Sequence, residues 1–282
     1  MSKSTTSKKK IVRKEADPKT KAAQAKDPGW KPEPEAKSKA NRLRIFAWIG
    51  WLIAIGVEIF AIFWILKQVP VNMTYLIIAI VVTGIFSIGG SLMWKQANRL
   101  DPASKKDTVR FWVQNQFGAI MAIISFLPLI ILIFLNKDMD GKQKGIAGGI
   151  GIVVLIIATL FGVSYESPSQ EQYAAEQNII ETLTGKDEVV WTKSGKVFHV
   201  CTDVPDVNKE SQDGQIYVGT VADAHAAGKD RIVSYWDREA VNYCGYTQED
   251  VDNTIATVES ANGDTLINDK DEAPEDIGTP ES

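Results

Sequence analysis

The chain has 282 residues, 45% of them hydrophobic, with 31 Lys and Arg against 35 Asp and Glu and only 2 cysteines. Its mean hydropathy is near zero, as in a soluble protein, but the charge is segregated: residues 1–44 carry 14 Lys and Arg against 5 Asp and Glu, and residues 165–282 carry 8 against 25. Two cysteines exclude a disulfide framework, and a basic end and an acidic end around an almost uncharged middle exclude one uniform globular domain.

Residues 1–44 hold the run Lys8-Lys9-Lys10, four prolines and almost no large apolar residue, and are expected to be disordered. The run is not a signal peptide, because a long polar stretch separates it from the first apolar segment. It fits a solvated tail, or a contact with anionic lipid headgroups worth about 1 kcal/mol per basic residue. A nucleic-acid partner is not expected, since Trp30 is the only aromatic residue near the lysines.

Four apolar stretches follow at 45–66, 74–94, 111–136 and 145–164, separated by charged breaks. Each has the roughly 20 residues that an α-helix needs to cross the lipid hydrocarbon, where backbone polar groups must be paired internally. The expected fold is therefore an α-helical membrane bundle of four transmembrane helices in contact with the bilayer. Orientation follows from Lys and Arg: 14 lie in the tail and 5 in the loop 95–110, against 4 in the other two loops. The rule places the tail, that loop and, after an even number of spans, the C-terminal region in the cytoplasm at the cell membrane.

The first stretch contains Glu58, the one ionisable residue deep in any of the four. Gly50, Ala54 and Glu58 are spaced i, i+4, i+8, which stacks them on one face where a second helix can approach closely. Thr83, Ser87 and Ser91 repeat that spacing in the second stretch, with Thr83 at about the depth of Glu58. A hydrogen bond from Glu58 to Thr83, or to a backbone carbonyl freed by Pro128, is thus expected, with a proton or cation relay as the other reading of Glu58. Trp48, Trp51 and Trp64 lie toward the ends as interfacial anchors. Pro128 is expected to kink the third helix, and the row Gly141, Gly145, Gly149 to pack tightly, inside the chain or between copies in a homo-oligomer.

Residues 165–260 read as a small α+β domain, and 261–282 as a disordered acidic tail. Ser167-Pro168-Ser169-Gln170 opens a helix that should run to about Thr184 and stop at Gly185. Two β-prone runs, 189–192 and 196–201, flank Lys193-Ser194-Gly195 as a hairpin. Thr220 and Asp223 form a capping box before a short helix ending at Gly228.

The residues Val190-Trp191-Thr192-Lys193-Ser194-Gly195-Lys196-Val197-Phe198-His199, followed by Gly219-Thr220-Val221-Ala222-Asp223-Ala224 and Ala227-Gly228-Lys229, carry a resemblance. They resemble a bacterial hairpin-plus-helix module of the type "TxxGxxYH…C…CxxC", and the whole layout is similar to uncharacterised multi-pass membrane proteins of actinobacteria. In that module the cysteines can bind zinc. Here His199, Cys201 and Cys244 give at most three ligands, His225 is a distant fourth, and no CxxC occurs, whereas a closed structural zinc site needs four. The alternatives for these residues are a zinc site, a Cys201 to Cys244 disulfide if the domain lies outside the cytoplasm, or plain core and surface positions; no metal is the expectation.

No Walker loop, GxGxxG after a strand, HExxH or GxSxG occurs. No catalytic residue and no cofactor is assigned. The leading expectation is a non-enzymatic membrane anchor or assembly factor showing a small soluble domain to a protein partner. A small transporter or channel using Glu58, and a metal-dependent sensor or membrane enzyme, are the alternatives.

Overall fold

The computed structural model describes residues 9–13, 30–165 and 167–262. Pro32–Ser169 form one compact unit, and the described residues before and after them form another.

The first unit is built from four long helices: α1 (Pro34–Phe60), extended by a π-helical segment Ala61–Ile65, α2 (Met73–Leu100), α3 (Thr108–Leu135) and α4 (Gly141–Gly162). All four are long and apolar enough to cross a membrane. Pro34, which has no N–H to leave unpaired, opens α1, and side chains satisfy orphan backbone N–H groups at the other starts: Asn72 accepting from Tyr75, Asp107 from Arg110, and a capping box of Asp140 with Gln143. The apolar runs marked only the cores of these helices, because caps and amphipathic first turns lie outside the hydrophobic pattern. Large apolar side chains such as Leu52, Ile85, Leu135 and Leu160 face outward.

Close approach of the backbones holds the helices together. A Cβ on Gly50 would meet Phe86 O at 3.2 Å, and one on Gly90 would meet Ala47 O at 3.0 Å. Trp51 is fully buried in this seam and donates from Nε1 to Ser87 O at 3.3 Å; it is a core residue rather than the expected interfacial anchor. Within the chain, Gly141, Gly145 and Gly149 have open space beside them. Gly148, Gly151 and Gly162 are the α4 positions where an added Cβ would meet Phe134, Ile130 and the Gly118–Ala119 backbone. Gly162→Ala should therefore destabilise by about 1–3 kcal/mol through overpacking, while Gly145→Ala should leave stability equal or raise it by up to about 1 kcal/mol through helix propensity. Thermal unfolding of the two variants in detergent compares them; equal losses would contradict this packing.

The second unit contains β1 (Lys10–Arg13), α5 (Gln170–Thr184), β2 (Val189–Trp191), β3 (Val197–Phe198), α6 (Pro205–Glu210), β4 (Gln215–Gly219), α7 (Val221–Ala226), β5 (Arg231–Ile232), α8 (Trp236–Tyr243) and α9 (Gln248–Asn262). One sheet has the order β1-β4-β2, with β1 parallel and β2 antiparallel to β4; the other pairs β3 and β5 in parallel. The expected hairpin is reduced to one antiparallel bridge, Val190 with His199, which links the sheets. The capping box of Thr220 and Asp223 starts α7, and Gly185 and Gly228, at φ of 75° and 91°, follow α5 and α7 in the left-handed conformation that terminates helices. Ile180, Val189, Phe198, Val221, Ala240 and Val251 belong to the core.

Part of the expected disorder at the N-terminus is overturned. Lys10–Arg13 lie in register with Gln215 to Val218, Arg13 pairs with Glu188 at 2.9 Å, Trp30 is buried, and residues 34–44 are helical. The strand forms because Ile11 and Val12 are β-prone and β4 offers them an edge. The rest of the basic tail, and the acidic tail after residue 262, lie outside the described residues.

Candidate functional site

Two places gather buried polar chemistry, one in each unit. In the helical unit, the face Gly50, Ala54, Glu58 of α1 turns inward, and Glu58 is only 4% exposed. Its Oε1 accepts from Leu129 N at 3.2 Å. Leu129 follows Pro128, which has no N–H and loosens this turn of α3, so a backbone donor here can serve a side chain from another helix. The π-helical segment begins three residues after Glu58, an irregularity frequent at functional sites.

The expected Glu58 to Thr83 bond is not made: Thr83 Oγ1 is buried without a hydrogen-bond partner. The reason is register. Trp51 meets Ser87 and Ala47 meets Gly90, so Thr83 comes opposite Ala54, one turn away from Glu58. Counting depth separately along each stretch could not resolve one turn.

Where the chain enters α1 and leaves α2, a polar knot closes the same unit. Arg44 donates to Asp101 Oδ2 at 2.6 Å and to Asp101 O at 2.9 Å. Gln114 Nε2 donates to Asp101 O, and Trp94 Nε1 and Asn98 Nδ2 donate to Gln114 O, at 2.7 to 2.9 Å. Ser91 Oγ donates to Ser87 O at 3.0 Å.

In the second unit two histidines are each held by a glutamate. His225 Nε2 lies 2.5 Å from Glu176 Oε2, and its Nδ1 lies 2.9 Å from Lys229 O. A carbonyl only accepts, so Nδ1 carries a proton and another is shared between Nε2 and Glu176. Glu176 Oε1 also accepts from Ile232 N at 3.2 Å and from Gln172 Nε2 at 3.1 Å. Tyr173 stacks on His225 with centroids 3.6 Å apart, and Trp30 stands edge-on to Tyr173. This pairing ties α5, α7 and β5 together.

His199, 1% exposed, has Nδ1 2.9 Å from Glu239 Oε1, while its Nε2 has no hydrogen-bond partner and lies 4.0 Å from Glu210 Oε2. It is thus a packed strand histidine that also links β3 to α8. Cys201 and Cys244 are joined by a disulfide, with Cα atoms 5.8 Å apart. Among the described residues no group of three His, Cys, Asp or Glu could hold a metal, so nothing in the structure supports the zinc site implied by the resemblance.

Beside this cluster Tyr235 donates to Asp206 Oδ2 at 3.1 Å. Burial first, and then the Asp206 carboxylate, push its phenol up to about 12. A raised folded value favours the protonated native form, so this stability is complete below the ordinary tyrosine value of 10.0 and is lost as pH rises toward 12. Tyr235→Phe should make the domain's stability less dependent on pH across that window, as measured by denaturant unfolding at several alkaline pH values; an unchanged dependence would contradict it.

Comparison of the chain with protein-family models, curated proteins and solved structures finds no match.

Proposed function

We propose that the chain is a non-enzymatic multi-pass membrane protein, an anchor or assembly factor that holds a small α+β domain at the bilayer surface for a protein partner. The observation that carries the reading is four successive helices whose outward faces are apolar, followed by a small α+β domain whose two histidines are each held by a glutamate. Exposed Leu, Ile and Phe along all four helices are costly in water and cost nothing against lipid tails.

The pairing of β1 with β4 supports an even number of crossings, because it needs the N-terminal segment and the C-terminal domain on the same side. The cytoplasmic side is favoured by charge: 19 Lys and Arg lie in the tail and middle loop against 4 in the other loops. On that side the Cys201–Cys244 disulfide, worth about 4 kcal/mol for a 43-residue separation, is not retained. In a reducing cytoplasm the pair is then a dithiol resting on an intact core.

Mild solubilisation and co-purification test the anchor reading. A stoichiometric protein companion is expected. A chain that purifies alone and dissipates an ion gradient in vesicles would replace this reading with the transporter one, for which Glu58 and Pro128 speak.

A further inference from the structure

Four of the six buried side-chain atoms that lack a hydrogen-bond partner among the described residues lie on α2 and α3: Thr83 Oγ1, Ser87 Oγ, Asn98 Oδ1 and Asn115 Oδ1. Lipid cannot satisfy them, and a buried polar atom left without a partner is costly. Their positions are ordered. Thr83, Ser87 and Ser91 succeed one another by single turns on one face of α2, and Asn98 follows two turns later. Across the seam, Ser91 Oγ lies 3.4 Å from Gly118 O, and Gln114 O receives Asn98. The line therefore begins at the Arg44–Asp101 knot and ends one turn short of Glu58.

Beyond Glu58 the interior changes character. Ile65, Leu76, Ile80, Leu129, Ile130 and Ile133 are buried together there, and they offer no side-chain hydrogen-bonding group. The helices carry no Asp, Glu, Lys, Arg or His over 68–94, 111–135 and 145–164, and 45–66 contains Glu58 alone. The charged groups nearest the line are Arg44, Lys95, Arg99, Asp101 and Arg110 at the knot end, with Lys67 and Lys137 at the opposite end. One end of the unit thus holds hydroxyls and amides beside the apolar Trp51, Trp94, Phe117 and Met121 down to a carboxylate, and the other is sealed by hydrocarbon alone.

We infer that water molecules fill this line and give Glu58 a one-sided access path, through which its carboxylate takes up and releases a proton only with the aqueous phase on the side of the N-terminal tail. Water has partners along α2 at Thr83 Oγ1, Ser87 Oγ and Asn98 Oδ1, with Ser91 Oγ standing between the last two, and on α3 at Asn115 Oδ1. Proton uptake forms an O–H bond on Glu58, with Oε1 still accepting from Leu129 N and the proton supplied along the water line; nothing is oxidised or reduced. The site's ligand is therefore a proton delivered by water. The inference rests on the four helices spanning a membrane, and it adds a chemical function to a unit otherwise read as an anchor.

The test uses the full chain in sealed vesicles, with single cysteines in a Cys201→Ser, Cys244→Ser background and a small charged thiol reagent added to one side at a time. Thr83→Cys, Ser87→Cys and Asn115→Cys should react from the tail side and lose all reaction from the other. Ile80→Cys, beyond Glu58, and the outward-facing Ile85→Cys should not react at all. Lys106→Cys in the middle loop reports tail-side access whatever the state of the path, so its failure to label from that side would indict the membrane topology rather than the path. Correct labelling of Lys106→Cys with no reaction at Thr83, Ser87 and Asn115 would overturn the inference, as would reaction from both sides. A second readout needs no cysteine. Infrared difference spectra of the wild-type chain should show a carboxylic acid band that shifts in deuterated water on tail-side exposure and vanishes in Glu58→Gln; a band that never exchanges would also overturn it.

Discussion

Glu176→Ala should destabilise the C-terminal domain by about 3–5 kcal/mol, because removing one partner leaves the other polar groups of a buried pair uncompensated. Two groups lose their acceptor at once, His225 Nε2 and Ile232 N, and Gln172 Nε2 is left with Asp230 O. The loss falls where α5 meets α7 and β5, so the whole domain should feel it. Glu176→Gln keeps a carbonyl oxygen for Ile232 N and an amide for the imidazole, and should lose clearly less. Denaturant unfolding of the full chain, followed through the domain's Trp191 and Trp236, separates the variants. Equal midpoints for Ala and the wild type would show that the pair contributes nothing.

The second large effect depends on redox conditions. Cys201→Ser removes a bond across 43 residues of sequence, which in the chain-entropy account stabilises by about 4 kcal/mol. Measured under oxidising conditions, the variant should lose that amount. Under reducing conditions the wild type has already lost it, so the two should unfold together. Ile180, Val189, Phe198, Val221 and Ala240 are buried in a core against which Cys244 packs only partly buried, and for that reason the reduced domain should remain folded. Unfolding of the reduced wild type at the temperature where the oxidised form is native would mean that the bond is obligatory, and would argue for an oxidising compartment.

Much of the helical unit was legible in the sequence, since four long apolar stretches with charged breaks leave few alternatives. The helix ends were not, because Pro34, Asn72, Asp107 and Asp140 lie outside the apolar runs and act locally, the last three through hydrogen bonds to backbone N–H groups. Glu58 stood out as a lone carboxylate and Pro128 as a place where backbone groups come free, but the partner there is the Leu129 N–H rather than a carbonyl, which side-chain spacing does not reveal. In the C-terminal domain the capping box at Thr220 and the stops at Gly185 and Gly228 depend on a few adjacent residues and could be read directly. The pairs His225 with Glu176, His199 with Glu239 and Cys201 with Cys244 join residues 40 to 49 apart, and only the strand order brings them together. Glu176 did leave one trace, since helical spacing sets it on the face of Tyr173, Ile180 and Leu183. The strand at Lys10 was hidden because four residues, two of them β-prone, disappear in the composition of a 44-residue basic tail.

The account stands or falls on four crossings with both ends on the cytoplasmic side, and reporter fusions after Asp264 test this most directly. A reporter that works only in the cytoplasm should be active there, and one that works only after export should be silent. Activity of the exported reporter alone would contradict the account, placing the disulfide-bonded domain and the basic strand paired with it outside the cell.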